Sequence, residues 1–366
     1  MKNNVQQIHD FGQSIWLDFI DRKIMNSGEL QKLIEEDGVR GITSNPAIFE
    51  KAISSSDDYT ADIAKLLEKE QSNDRIFYGV AIQDIKRAAD LFKPVYEEEP
   101  RGSDGFVSLE VSPFLARDTA GTISQAKELW QAVDRENVMI KIPGTAEGLP
   151  AIKTCISEGI NINVTLLFGL QRYEEVAEAY ISGLEERVKK GQPIDGVASV
   201  ASFFLSRIDV LVDPMLEEKG IGNFKGEVAI ASAKKAYEIY KWVFNSERFQ
   251  KLQEQGAKPQ RLLWASTGSK DPAFSDVKYV EALIGPDTVN TIPMDTLVAF
   301  RDHGKAVATL EDDLEQANTV LDAIENAGID LAAITRQLEE EGIEKFNKPY
   351  EKLLDAIEAQ KRKIKG

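Results

Sequence analysis

Short apolar runs of strand length recur along the chain, each followed by a stretch whose apolar residues fall at helical spacing. The strand candidates in the first half are IWLDFI (residues 15–20), GITSNPAIF (41–49, its extended part ended by Pro46), FVSLEVS (106–112) and NVMIKIP (137–143). ININVTLLF (160–168), VASVASFF (197–204), RLLWAST (261–267) and TVNTIP (288–293) follow. Between them, Ser27 and Gly38 read as start and stop of a first helix, and residues 59–70 as another. Ile82, Ile85, Ala89 and Phe92 make one helical stripe, and Ile123, Ala126, Leu129, Trp130 and Val133 a second. Leu149, Ile152, Cys155 and Ile156 share a face that stops at Gly159, and Tyr173, Val176, Ala177, Tyr180 and Leu184 share the next. Two helices are predicted within residues 209–249. Leu310, Leu314, Ala317, Leu321 and Ile324 mark a later one, and a last runs from 344 to 365, kinked or interrupted at Pro349.

Strand and helix alternating eight times predict an α/β protein built as a (β/α)8 TIM barrel. Extra helices would occupy the long connections and the C-terminus. The expected organisation is a single domain over residues 1–366, with a helical extension from about residue 305. A doubly wound sheet is the runner-up, weakened because no strand is followed by a Gly-rich dinucleotide fingerprint. GTAEG (residues 144–148) is too short for a phosphate-binding loop and lacks its lysine.

Composition narrows the chemistry. A net charge of −17 argues against nucleic acid or an anionic membrane as partner, so an anionic ligand would need a local basic pocket. Cys155 is the only cysteine and sits on an apolar helix face, which reads as core packing. With His9 and His303 the only histidines, a zinc-dependent mechanism is disfavoured and no metal is expected. The polar start MKNNVQQIHD carries no secretory signal, and no apolar run reaches the ~20 residues of a membrane span, so a reducing cytoplasm is the expected location.

Against this ordinary background, Lys141 stands out. It lies in a β-branched strand that ends at once in Pro143 and Gly144. Burial penalises an ammonium by stripping its hydration, which is how proteins prepare a nucleophilic amine near neutral pH. A buried ion pair or a snorkelling side chain is the structural alternative. In a barrel, alternate residues point inward and the functional ones gather at the C-terminal strand ends. One parity of successive strands carries Asp18, then Thr43 and Asn45, Ser108 and Glu110, Lys141, Asn163 and Thr165, Ser202, and Ser266.

Each has a plainer explanation: Asp18 as a cap, Asn45 before Pro46 as turn chemistry, Thr165 as a common strand residue, Glu110 as a structural partner of Lys141. Together they would be costly to bury for structure alone. The parts suit aldol chemistry without metal. Lys141 would form a Schiff base with a ketone. Glu110 would move protons during dehydration through a water also held by Thr165. Asp18 would take the proton from the hydroxyl whose carbon becomes the leaving aldehyde, with Asn45 and Asn163 holding hydroxyls of the retained fragment.

The blocks GITSNPAIF, SLEVSP, VMIKIPGTAEGLPAI and GININVTLLF resemble the signatures of transaldolase, a class I Schiff-base family on a (β/α)8 barrel, over residues 18–266. The resemblance implies Lys141 as nucleophile, Asp18 as acid/base for carbon–carbon cleavage, and Glu110 with Thr165 as a water-mediated proton shuttle. Asn45 and Asn163 would hold the dihydroxyacetone unit, with Thr43 and Ser108 lining the pocket. The implied reaction moves that unit from sedoheptulose 7-phosphate or fructose 6-phosphate to glyceraldehyde 3-phosphate or erythrose 4-phosphate, in the non-oxidative pentose phosphate pathway, with no cofactor.

Ser202 and Arg207 in SFFLSR match the family's first phosphate-binding block. After the seventh strand the chain departs from the family: Ser266 is followed by Thr267 and Gly268, so an arginine is missing, and Lys270 is the candidate replacement. A lysine there offers a point charge in place of a bidentate fork. The alternatives are a fructose-6-phosphate aldolase-like enzyme that releases the three-carbon unit, a non-catalytic sugar-phosphate-binding barrel, and a pyridoxal-phosphate enzyme. Glu110, Phe204 and the chain's length favour transfer over release. The grouping of Lys141, Glu110, Asp18 and Thr165 argues against a mere binder. Sugar phosphates are the expected partners of a monomer or homodimer.

Overall fold

The computed structural model describes residues 2–98 and 100–365. Eight parallel strands close into a barrel in chain order. They are β1 (Gln13–Asp18), β2 (Gly41–Thr43), β3 (Phe106–Glu110), β4 (Val138–Pro143), β5 (Ile162–Leu167), β6 (Ser199–Phe204), β7 (Arg261–Ala265) and β8 (Thr288–Ile292). Helix α1 (Asn4–Ile8) precedes β1, and the helices that follow the early strands are α2 (Arg22–Ser27), α3 (Glu29–Glu36), α4 (Pro46–Ser55), α5 (Thr60–Leu67), α6 (Asn73–Glu97), α7 (Thr119–Val133) and α8 (Gly148–Ser157). The later ones are α9 (Leu170–Lys189), α10 (Ser206–Glu218), α11 (Val228–Phe244), α12 (Glu247–Gln253), α13 (Lys278–Glu281), α14 (Met294–His303), α15 (Leu314–Asn326) and α16 (Leu331–Lys365). No helix among the described residues is long and apolar enough to cross a membrane.

Strands buried on both faces read as near-continuous apolar runs, which is why their positions were legible. Their ends are set by polar chemistry and move accordingly. β1 begins two residues early because Gln13, fully buried, donates through Nε2 to the Leu283 carbonyl (2.6 Å) and Thr288 Oγ1 (2.9 Å). It stops at Asp18, since Asp21 already caps α2 by accepting from the Ile24 amide at 2.8 Å. The expected first helix is divided: Ser27 is the last residue of α2, not an N-cap, and Gly28, at φ +78°, turns the chain into α3. Three helices, not two, fill the span before β7, because Ser246 caps α12.

The barrel floor is plugged by inward residues. Trp16 meets Phe106 at 6.2 Å between ring centres and donates from Nε1 to Asp104 Oδ1 (3.0 Å), which also takes an ion pair from Arg261 at 2.9 Å. Inward-facing Gly41 leaves room for Trp16: a Cβ there would stand 2.7 Å from the indole and 2.8 Å from the Phe106 carbonyl. A small cavity of about 190 Å³ lies at this end, beside Phe106, Met139 and Arg261, and contains none of the polar residues expected to act together.

The largest departure is at the C-terminus. α16 starts at Leu331 and runs without interruption through Pro349, packing across α4, α5 and α6 and over the mouth. A proline inside a helix lacks the N–H that would reach back to the Lys345 carbonyl, but it does not by itself end a helix held by packing. Phe346, Tyr350, Leu353 and Ile357 are buried and supply that hold.

Burial also leaves a titration signature. Asp209 on α10 accepts from the Ala229 amide at the start of α11 and from Tyr279 Oη, both at 2.8 Å, and burial raises its pKa to about 6. Such a group binds its proton more tightly in the folded state. Its stabilisation is therefore present below the unfolded value of about 4 and lost as pH rises through about 6, by roughly 3 kcal/mol. Asp209→Asn, which keeps an acceptor for Ala229, is expected to flatten the fall in unfolding free energy between pH 4 and pH 7.5 in denaturant titrations. Equal slopes in variant and parent would refute this. Asp84, raised to about 6 by burial beside Arg22, adds a slope of the same sign in both proteins.

Candidate active site

At the C-terminal ends of the strands lies a cavity of about 250 Å³, lined by Asp18, Thr43, Asn45, Lys141, Thr165, Ser202, Phe204, Arg207, Ser266 and Lys270 among others. Glu110, Ser108 and Asn163 are buried just behind this lining. A larger cleft of about 560 Å³ lies among α11, α13 and α15, but the polar residues expected to act together are not in it.

The register explains the convergence. Neighbours on parallel strands face the same side, and Asp18 pairs with Thr43, Glu110 with Lys141, Lys141 with Asn163 and Pro143 with Thr165. Lys141 is 5% exposed; its Nζ donates to the Ser44 carbonyl at 2.9 Å and stands 3.5 Å from Glu110 Oε2. Burial raises the pKa of Glu110 against the opposing pull of Lys141. Glu110 Oε2 and Thr165 Oγ1 are both buried without a hydrogen-bond partner.

Asp18 accepts a hydrogen bond from Thr43 Oγ1 at 2.7 Å, and Thr43 Oγ1 lies 2.7 Å from Thr291 Oγ1. Because Thr43 spends its one proton on Asp18, Thr291 donates to Thr43. Burial raises the Asp18 pKa; Lys141, Thr43 and Lys270 pull it back. Asn163 is held on both sides: its Nδ2 donates to Ser108 Oγ (3.1 Å) and its Oδ1 accepts from Ser202 Oγ (2.7 Å). Asn45 lies beyond the end of β2 as the N-cap of α4, its Oδ1 accepting from the Ile48 amide at 3.1 Å with Pro46 at the first helical position. The turn explanation and the pocket explanation both hold, since Asn45 also lines the cavity.

Ser266 reaches the cavity by a different route from the one expected. β7 ends at Ala265, and the pairing of Ser202 with Leu263 and Phe204 with Ala265 puts those two inward. An extended Ser266 would point away; φ +56° turns it back, 2.9 Å from Ser206 Oγ. Leu166 at φ +61° likewise accompanies a register shift in β5 just after Thr165. Bulges and positive φ at strand ends re-aim side chains, and they gather at functional sites.

Arg207, in the first turn of α10, stacks its guanidinium over the rings of Phe204 (5.4 Å) and Phe346 (5.9 Å). Its Nη1 is buried without a partner. Thr291, Pro293, Lys345, Phe346 and Pro349 also line the cavity and were not expected there from the sequence. Thr291 was findable, two residues from buried Val289 on the inward parity of β8. Nothing local distinguishes Lys345 or Phe346 from the rest of an amphipathic tail.

Residues 15–357 match the family model described as Transaldolase/Fructose-6-phosphate aldolase. A protein of Trichodesmium erythraeum named Transaldolase is 48% identical over 99% of this chain and 98% of its own. One of Nostoc sp. named Transaldolase 2 is 46% identical over 98% and 97%, and one of Saccharopolyspora erythraea named Transaldolase is 46% identical over 98% of each.

Proposed function

Since the chain belongs to the transaldolase/fructose-6-phosphate aldolase family, we propose that it transfers a dihydroxyacetone unit from a ketose phosphate to an aldose phosphate through a Schiff base on Lys141. The observation that carries this reading is one buried amine, Lys141 Nζ, reaching the cavity with Glu110 at 3.5 Å and Asp18 among the same lining residues.

In the first step the Lys141 amine adds to the ketose carbonyl carbon, giving a carbinolamine. Glu110, through a water shared with Thr165, protonates the departing hydroxyl, and the iminium forms with loss of water. Asp18 takes the proton from the hydroxyl on the carbon that becomes the aldehyde. The carbon–carbon bond breaks, its electron pair passes into the iminium to give an enamine, and the aldose phosphate leaves. A new aldose phosphate reverses these steps with Asp18 returning the proton, and water releases the product ketose. Asn45 and Asn163 hold hydroxyls of the retained unit, with Thr43 and Ser108 keeping Asp18 and Asn163 in place. Ser202, Arg207, Ser266 and Lys270 form the phosphate end, and Phe204 closes the wall beside Arg207.

The reading requires no cofactor or metal. On the same reading the acidic chain works in the cytoplasm as a monomer or homodimer, on sugar phosphates and without nucleic acid or membrane as partner. The relatives' names favour transfer over release of the three-carbon unit.

Borohydride trapping with fructose 6-phosphate followed by peptide mapping tests the mechanism. The expected result is one reduced adduct, on Lys141; an adduct on another lysine, or none, would overturn it.

A further inference from the structure

Resting on that reading, we propose that α16 completes the phosphate end of the cavity: Lys345 is a further phosphate ligand, held in the unliganded protein by Glu341, which the incoming phosphate displaces.

Besides Lys141, three elements bring cations to this cavity: Arg207 from the first turn of α10, Lys270 from the loop after β7, and Lys345 from α16. In a chain of net charge −17 such a cluster needs an anion to justify it. Among these cations, half-buried Arg207 has a buried Nη1 without a hydrogen-bond partner, and its guanidinium lies over the rings of Phe204 and Phe346. Phe346 is the residue after Lys345, so the stacking that fixes Arg207 also fixes the turn of α16 that presents Lys345.

Glu341 sits one turn earlier. Its Oε2 takes Lys345 Nζ at 3.1 Å and its Oε1 takes Gln337 Nε2 at 2.8 Å. Those two contacts and the field of Arg207 hold its carboxyl below the ordinary range. An exposed i,i+4 pair of this kind contributes little to stability, about 0.3–0.5 kcal/mol, so a phosphate bearing up to two charges can take the lysine from it. Arg207 is close enough to feel Glu341 yet remains unpaired, which leaves its fork for a stronger acceptor.

Both substitutions Lys345→Met and Glu341→Gln break the same ion pair. A purely structural pair therefore predicts changes in one direction, whereas ligand exchange predicts opposite ones. Calorimetric binding of inorganic phosphate to the full-length proteins reads this without turnover. The dissociation constant is expected to rise about five-fold in Lys345→Met and to fall about three-fold in Glu341→Gln, with Lys345→Arg near the parent. Shifts of the same sign, or none in either variant, would overturn the proposal. Failure of the Schiff-base reading would show in the borohydride experiment and would leave these shifts untouched.

Discussion

Replacing Lys141 with alanine is expected to lower kcat by at least about 10⁴-fold while the protein stays folded. No other lysine has this position: Lys270 and Lys345 line the cavity but are exposed, whereas Lys141 is 5% exposed and 3.5 Å from Glu110. Losing it removes the group that carries the intermediate, so no rearrangement of the remaining acid and base restores the route. The fold should tolerate the change. The variant leaves Glu110 without its cation, but burial already favours the protonated carboxyl and Lys141 is what opposes it. Glu110 can therefore take a proton instead of remaining a buried, unpaired charge, and the cost should be about 1–3 kcal/mol, mostly from the orphaned Ser44 carbonyl. Circular dichroism should match the parent while steady-state transfer from fructose 6-phosphate vanishes. Activity within about 100-fold of the parent would rule Lys141 out as nucleophile.

The features of this site that were legible in the chain are those governed by period. Parallel strands under helices are apolar throughout, so Lys141 and Glu110 were visible as interruptions, and two-residue alternation aligned them with Asp18, Thr43, Asn163 and Thr165. The features that escaped depend on single backbone torsions or long-range contacts. Ser266 belongs to the site because φ +56° reverses the direction alternation would give it, and no sequence rule assigns that torsion to a serine. Asn45 was visible, but its strand position was not real: with Pro46 next, its side chain caps a helix. α16 was read as a tail because Pro349 suggested an interruption, and what keeps the helix continuous is the barrel surface beneath it. Local pattern thus found the amine and the carboxyls around it, and missed the helix that lies over the cavity.

Asp18→Asn should separate bond cleavage from Schiff-base formation. Asparagine can still accept the Thr43 hydroxyl proton through Oδ1, so the chain from Thr291 through Thr43 is kept and only the proton acceptor is lost. In the proposed mechanism, carbinolamine formation and dehydration belong to Lys141, Glu110 and Thr165, so borohydride should still trap fructose 6-phosphate on Lys141. Carbon–carbon cleavage in a single turnover should slow by about 10²–10⁴-fold, the usual contribution of a positioned general base. A pH signature goes with it. Asp18 must be ionised to take the hydroxyl proton, and burial raises its pKa despite Lys141, Thr43 and Lys270. In the parent, cleavage should therefore fall off on the acid side at a pH above the ordinary carboxylate range. In Asp18→Asn that acid limb should be absent from the residual cleavage rate, although Glu110, also raised, continues to shape adduct formation. A variant that traps substrate and cleaves it within about 10-fold of the parent rate would assign the proton to another group. In that event, Glu110 would be the first candidate, since its buried Oε2 accepts no hydrogen bond and stands 3.5 Å from the same amine.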